Sequence, residues 1–536
     1  MRSNIMHNFF RALTTRRLFT FGAAAAFIFF ALVSLSAPGQ IAYAAGTVTG
    51  TVYRDYNADG DRDTREAGLG GVTVRAFNAA GALVQSTTTF PVCVGVNQPV
   101  TGCTGVNTPA AGTYTLPSMA NGQYRIEFIA PNTGLQPGAF GSGNNTLVQF
   151  VDVTAGNVTN INASMNAPRD YCQSNPDLIT PCYADGAQGG TDGTLYSHDY
   201  TANNPSAPDA SLTIEATETQ IGSTWGLAYR STTNTLYAAA YLKRNAGFDT
   251  TPALADRPGQ IYSVTPGGAT DGAPFVVIPN AGGTVATDLH SDFSPSNGNG
   301  DFDSEAFPLV GKRSLGDIEL NGDETRLYVV NLNDRHLYDV LLSGPSVTDR
   351  GLIPKPADAG CNANGEGRPF GLGWRDDLLY VGGICTAETS GTAAQLQAYV
   401  YTFNPASNTF SASPVIQFSL NFDRECLNIG GGSTPGLPDC RAGAGVIERP
   451  HADWRPWRDA FGTIVDINNA GENDTYSNTS GNGGYPMPML SDIVFDGDDM
   501  ILGFRDRNGD MIGHQDSGPT ESQTSPLLNT TRSWCG

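Results

Sequence analysis

Residues 46–165 alternate apolar and polar side chains in short runs cut by turn residues: "TVTGTVYRD", "VTVRAF", "ALVQSTTTF", "GTYTL", "QYRIEFI", "TLVQFVDV" and "NVTNINASM". A period of two sends successive side chains to opposite faces of a strand, so seven such runs at this spacing predict a β-sandwich.

The first turn of that series is the most chemical stretch of the chain. "DYNADGDRDTRE", residues 55–66, fits a twelve-residue EF-hand calcium loop: Asp55, Asn57, Asp59, Gly60, Asp61, Asp63 and Glu66 stand at positions 1, 3, 5, 6, 7, 9 and 12. An EF-hand loop lies between amphipathic helices. Here "TVYR" enters and "GVTVRAF" leaves with the alternation of strands, so the flanks reject the EF-hand fold and leave the loop. The competing reading is a solvated Asp/Asn/Gly-rich turn. Six ligand-type residues in register favour Ca2+.

"GTVYRDYNADGDRDTREAGLGGVTVRAFNAAGALVQSTTT", followed by "GTYTLPSMANGQYRIEF", resembles the SdrD B-like domain, the B-type repeat of serine-aspartate-repeat surface adhesins. The resemblance implies an Ig-like, prealbumin-like sandwich related to collagen-adhesin B modules. It also implies calcium held between the first two strands by Asp55, Asn57, Asp59, Asp61, Asp63 and Glu66. "PVCVGVNQPVTGCTGVNTP" departs from the compact repeat as an insertion. Some relatives cross-link themselves through a lysine–asparagine isopeptide bond, but residues 46–165 contain no lysine. Calcium is then the expected staple, and metal bound only by the folded state adds about 2.7 kcal/mol at a hundred times its dissociation constant.

Residues 1–44 read as a signal peptide, with basic Arg11, Arg16 and Arg17, the apolar run "LFTFGAAAAFIFFALVSL", and "AYA" before a cleavage point after Ala44. "TRRLF" also resembles a twin-arginine signal, leaving two export routes open, with an uncleaved anchor as a minor alternative. No other stretch is long and apolar enough to span a bilayer. Setting aside the four arginines of that segment moves the net charge from −22 to −26. So acidic a surface repels nucleic acid and anionic lipid and suits divalent cations or cationic partners. With 64 glycines and 33 prolines the chain is loop-rich yet still globular in composition. Nine cysteines in an exported chain read as bridges. Their spacing suggests Cys93–Cys103, Cys172–Cys182, Cys361–Cys385 and Cys426–Cys440, with Cys535 left over, although connectivity does not follow from sequence.

After a linker at 166–194, residues 195–515 carry a weak internal repeat. "WGLAYRSTTNTLYAAAYLKR", "LGDIELNGDETRLYVVNLNDRHLYDV", "FGLGWRDDLLYVGG" and "LSDIVFDGDDMILGF" each open a strand at a small or acidic residue, turn, and start a second strand. The anchors Gly226, Gly316, Gly371 and Ser491 are 90, 55 and 120 residues apart, multiples of a unit of 45 to 60 with some copies too divergent to see. That spacing predicts a β-propeller of about six or seven blades, making the chain all-β throughout. "DYCQSNPDLITPCY", "AAAYLKR", "SLGDIELN" and "VVNLNDRHLY" also resemble the propeller-like region found beside SdrD B-like domains in large bacterial surface proteins. The tail, 516–536, is polar and holds neither an LPxTG-like sorting signal nor a terminal apolar anchor. Relatives continue well past such a point, so a truncated C-terminus is expected.

Enzymatic signals are sparse. His198, His290, His336, His451 and His514 form no HxH or HExxH pair, and there is no GxSxG elbow, P-loop or dinucleotide fingerprint. Asp317 and Asp492 share one place in the repeat, where a propeller would bring them near its channel. They are candidates for a channel cation or for simple capping of backbone amides. Asp301, Asp303 and Glu305, and Asp506, Asn508 and Asp510, are acidic clusters that complete no loop. Trp454 and Trp457 are candidates for sugar stacking or for core packing. The expectation is an exported, non-enzymatic structural or adhesion protein at the cell surface, binding an unidentified extracellular protein or glycan. Its rivals are a propeller hydrolase or lactonase and a glycan-binding module.

Overall fold

The computed structural model describes residues 45–511 and 534–535, apart from 57, 63–65, 67, 91–110, 132–133, 140, 142–145, 155, 168–175, 185–190, 201–211, 268–270, 284–288, 291–302, 363–366, 423, 425–452, 461–484 and 497–498. The chain is all-β. Each alternating run of the first region contains a strand: β1 (Gly46–Arg54), β2 (Thr73–Asn78), β3 (Leu83–Thr88), β4 (Thr113–Met119) and β5 (Gln123–Ile129), then the short β6 (Gln136–Pro137), β7 (Val148–Asp152) and β8 (Ala163–Asn166). They make two sheets, ordered β4-β1-β8-β6 and β3-β2-β5-β7. Neighbours are antiparallel except β1 and β8, which run parallel with Val52 opposite Ala163. In β5 the period of two is literal: Tyr124, Ile126 and Phe128 are buried while Gln123 and Ile129 are exposed. Val48, Val52, Val74, Ile126 and Met165, drawn from both sheets, share one core. Each such side chain contributes roughly 1.5–3 kcal/mol by leaving water.

The second region begins earlier than its sequence suggests. β9 (Asp177–Tyr183) lies inside the stretch read as a linker and pairs with β10 (Gly193–Asp199), which pairs with β11 (Thr213–Thr217). Its burial along "DLITPCY" does not alternate, so the period test passes over it. Two four-stranded antiparallel meanders follow. The first is β12 (Thr224–Arg230), β13 (Thr235–Ala240), β14 (Gln260–Val264) and β15 (Ala273–Val277), and the second is β16 (Leu315–Leu320), β17 (Arg326–Asn331), β18 (His336–Leu341) and β19 (Ser346–Leu352). Next come β20 (Gly367–Arg375), β21 (Leu378–Cys385), β22 (Gln397–Asn404), β23 (Thr409–Phe410) and β24 (Ile416–Ser419), with both β23 and β24 on β22. The hairpin β25 (Pro488–Asp496) and β26 (Asp499–Asp506) follows, and β27 (Trp534–Cys535) pairs with β9.

The repeat anchors have a structural meaning. β12, β16, β20 and β25 open the successive sheets, and each breaks register at its anchor: between Thr224 and Leu227, Leu315 and Ile318, Pro369 and Leu372, and Leu490 and Asp492. There the opening strands touch. A Cβ on Gly226 would lie 2.9 Å from Gly316 O, and one on Gly371 would lie 2.7 Å from Asp492 N. Small residues recur because two backbones meet at those points.

Of the local cysteine pairs, Cys361–Cys385 is present, joined at 1.94 Å and fully buried. Cys182 is also disulfide-bonded, and the β9–β27 register sets Cys535 opposite it. Cys172, Cys93, Cys103, Cys426 and Cys440 lie outside the described residues. Among the described residues, no helix is long and apolar enough to cross a membrane.

Candidate functional site

The acidic loop closes where β1 ends. Tyr53 forms an antiparallel bridge with Gly68, and Leu69 N donates to Val52 O at 2.8 Å, so residues 55–66 are pinched out between the end of β1 and the approach to β2. Asp55, at position 1, is fully buried. Its Oδ2 accepts from Gly60 N at 2.9 Å and from Ser164 Oγ at 3.5 Å, while its Oδ1 is buried with no hydrogen-bond partner. A buried polar oxygen left unpaired costs about 1–3 kcal/mol. Glu66, at position 12, is 4% exposed and accepts from Tyr56 N at 3.0 Å. Asp59 Oδ1 accepts from Asp61 N at 2.8 Å, an Asx-type turn on the exposed side of the loop.

Gly60 makes the turn possible. Its φ is +81°, and a Cβ there would sit 2.2 Å from Ala139 O, where the backbone beyond β6 presses on the loop. Tyr53 donates its hydroxyl proton to Gly60 O at 2.8 Å, and burial, then Asp55 and Glu66, push that hydroxyl up to about 12. Asn57 and Asp63 lie outside the described residues. Among the described residues no three His, Cys, Asp or Glu side chains are gathered closely enough to hold a metal ion. The donor chemistry nevertheless suits one. The open oxygen is a hard carboxylate ligand, on the face of Asp55 not used by Gly60 and Ser164.

This loop, between these strands, sits in a stretch with a recognisable relative: residues 46–173 match the SdrD B-like domain family. The B-like domain accounts for part of the chain, and wider comparisons reach beyond it. Colossin-C of Dictyostelium discoideum is 24% identical over 399 residues, 72% of this chain and 34% of its own length. Colossin-D of the same organism is 23% identical over 359 residues, 64% of this chain and 31% of its own. The chain therefore spans about a third of the length of these curated relatives. Among solved structures, GBS52, the minor pilin of Streptococcus agalactiae, aligns at 16% identity over 23% of this chain and 45% of its own, with a TM-score of 0.15.

The acids beyond the B-like domain are bound differently. Asp317 Oδ1 accepts from Ile318 N and Oδ2 from Leu372 N, both at 2.9 Å, so it ties its own strand to the next sheet's β20. Burial, then the nearby Asp492, raise its carboxyl well above the usual range. Asp492 itself is exposed beside the β25 bulge. Asp510 accepts from Tyr241 Oη at 2.8 Å and Arg505 Nε at 2.7 Å, with Lys243 Nζ 3.3 Å away. Burial pushes that carboxyl up, but Arg505 and Lys243 outweigh it and hold it below its ordinary value. Asp506 accepts from Met487 N and Asn508 N, and burial raises it to about 7.

Asp303 accepts from His290 Nδ1 at 2.7 Å and Asn245 N at 2.8 Å, wholly inside the protein. Asp301, His451 and His514 fall outside the described residues. Trp454 and Trp457 are 5% and 1% exposed, and Trp457 Nε1 donates to Pro488 O at 2.8 Å, so both are core residues. Sequence reasoning missed Lys243 and Tyr241, because Asp510 meets them only through a closure spanning more than 260 residues, and it missed Arg505, five residues before Asp510, because the turn that brings them together is not marked in the repeat.

Proposed function

We propose that this chain is an exported, non-enzymatic structural or adhesion protein in which a calcium-stapled B-like domain carries a β-propeller that serves as a binding platform. The observation that carries the calcium reading is the unpaired, buried Oδ1 of Asp55 at position 1 of a loop with ligand-type residues at every expected position. Asp55, Asn57, Asp59, Asp61, Asp63 and Glu66 would hold the ion. Bound calcium would neutralise the crowded carboxylates and join the end of β1 to the approach to β2. Gly60 shapes the turn, and Tyr53 and Ser164 steady it from the sandwich side.

The successive meanders, with opening strands abutting at Gly226, Gly316 and Gly371, support a propeller of about six or seven blades. Export and a place outside the cell or at its surface are supported by the signal-like N-terminus, the B-like domain and the Cys361–Cys385 bridge. The strong acidity argues for a protein or glycan partner rather than nucleic acid.

Calorimetric melting of the full chain in CaCl2 and in chelator tests the central claim. The B-like domain's transition should rise with calcium in the wild type and stay put in Asp59→Ala. Superimposable wild-type melts with and without calcium would sink the reading.

A further inference from the structure

Two arginines of the second region stand without an acid to answer them. Arg335 closes the turn between β17 and β18, where its φ is +62°, and Arg368 is the second residue of β20. Both are half-buried, and neither side chain makes a hydrogen bond or ion pair among the described residues. Arg368 Nε is buried without an acceptor. A guanidinium keeps its charge at neutral pH, so a desolvated one with no acceptor destabilises the fold that holds it.

The fold gathers both at one end of two neighbouring sheets. Arg335 O accepts from Ile353 N at 3.0 Å, and two residues on, Lys355 packs against the start of β20: a Cβ on Gly367 would lie 2.7 Å from Lys355 Cβ. A Cβ on Gly316 would lie 3.1 Å from both Leu332 Cδ2 and Phe370 O, so the turn that carries Arg335 abuts the strand that carries Arg368. A third polar group joins them. Tyr399 is fully buried and its Oη has no hydrogen-bond partner. A Cβ on Gly383 would lie 2.6 Å from that oxygen and 2.7 Å from Arg368 O, which sets the hydroxyl beside the Arg368 backbone. Burial, then repulsion from Arg335, pushes the Arg368 guanidinium down to about 10. Burial raises the Tyr399 hydroxyl, so it stays protonated and able to donate.

The acids whose charge reaches Arg368, Glu388 and Asp459, are already engaged. Glu388 accepts from Lys312 Nζ at 2.6 Å, and Asp459 is shared by Lys312 and by Arg507, whose Nη2 lies 2.8 Å from Oδ1. This end of the sheets therefore holds unanswered positive charge in a chain of net charge −22. Charges more than about 8 Å away are largely screened in physiological salt, so the local surplus, not the net sign, decides what binds there.

We propose that Arg335 and Arg368, with the Tyr399 hydroxyl, form a binding site for an oxyanion, a carboxylate or sulfate group borne by the ligand. The planar fork of a guanidinium takes two oxygens of such a group with parallel hydrogen bonds, and a neutral hydroxyl beside it supplies one more donor. The proposal rests on the reading of the second region as a binding platform and names the chemistry of what that platform takes. It does not involve the calcium loop.

Titration calorimetry of the full chain with sodium acetate and with sodium sulfate, against sodium chloride at matched ionic strength, tests the site and tells the two groups apart. The wild type should bind one equivalent of the preferred anion. Arg368→Met, which keeps an apolar stem and removes the charge, should bind it about tenfold or more weakly. Tyr399→Phe should weaken it by less. Urea unfolding in chloride separates a binding group from a brace: there Arg368→Met should be at least as stable as the wild type, because the unanswered charge is gone. A loss of stability in chloride would mark Arg368 as an internal brace and overturn the site. Equal anion affinity in the wild type and Arg368→Met would overturn it while leaving the platform reading in place. If neither anion binds the wild type, the site falls and a platform for neutral ligands is left.

Discussion

Asp55 in the B-like domain and Asp317, Asp339 and Asp510 in the second region are all buried acids, yet only the first leaves an oxygen open among these four. Asp317 is capped by two amides, Asp339 is gripped by Arg326 and by Arg350 at 2.6 Å, and Asp510 lies among Tyr241, Lys243 and Arg505. The contrast teaches that a buried acid is no sign of a site by itself. An open oxygen alone does not make a ligand either, since Asp249 Oδ2 and Asp303 Oδ1 are also buried without a partner; at Asp55 it coincides with position 1 of a calcium-type loop.

Three measurements would break or sharpen that contrast. The largest effect should come from Asp510→Ala, which leaves Arg505 and Lys243 buried without their counter-charge. Urea unfolding should show the second region destabilised by about 3–5 kcal/mol while the transition of the B-like domain is untouched. The Asp510 carboxyl is held below its ordinary value, so its contribution is present above the unfolded pKa and is lost as pH falls through the folded one. A loss of under about 1 kcal/mol would mean that Asp510 is not the brace described here.

The next effect belongs to Asp55→Asn, and its sign should depend on calcium. In chelator the amide removes a buried unpaired carboxylate oxygen, so the variant should be at least as stable as the wild type. At calcium a hundredfold above the dissociation constant the wild type should lead by about 2.7 kcal/mol. Thermal melts whose order fails to reverse would put Asp55 with the internally satisfied acids.

The third effect, seen only as a change with pH, should come from Asp506→Asn. Burial raises this carboxyl to about 7, above its unfolded value. Its contribution to stability is therefore full below the unfolded pKa and is lost as pH rises through the folded one. The asparagine oxygen can still accept from Met487 N and Asn508 N. Between about pH 4 and 7 the wild type should lose up to about 4 kcal/mol that the variant keeps. Parallel stability profiles would show that Asp506 is solvated enough to ionise freely.

Much of this was legible in the residues themselves. Seven alternating runs became strands because a period of two leaves a chain no other way to bury one face, and the loop register is fixed by spacing alone. The anchors Gly226, Gly316, Gly371 and Ser491 also survive, because backbone contact between neighbouring sheets tolerates only small side chains. β9 was hidden because its burial does not alternate.

The fate of each acid belonged to the tertiary structure. Asp317 is answered by Leu372, Asp510 by Lys243 and Tyr241, and Asp55 in part by Ser164, each far off in the chain. Tyr56 meets Arg375 across 319 residues. The sequence determined which residues alternate, turn and carry charge, since those properties are local. Only the packed structure decided which charges find partners, because an oxygen's partners are set by what the fold brings within about 3 Å of it.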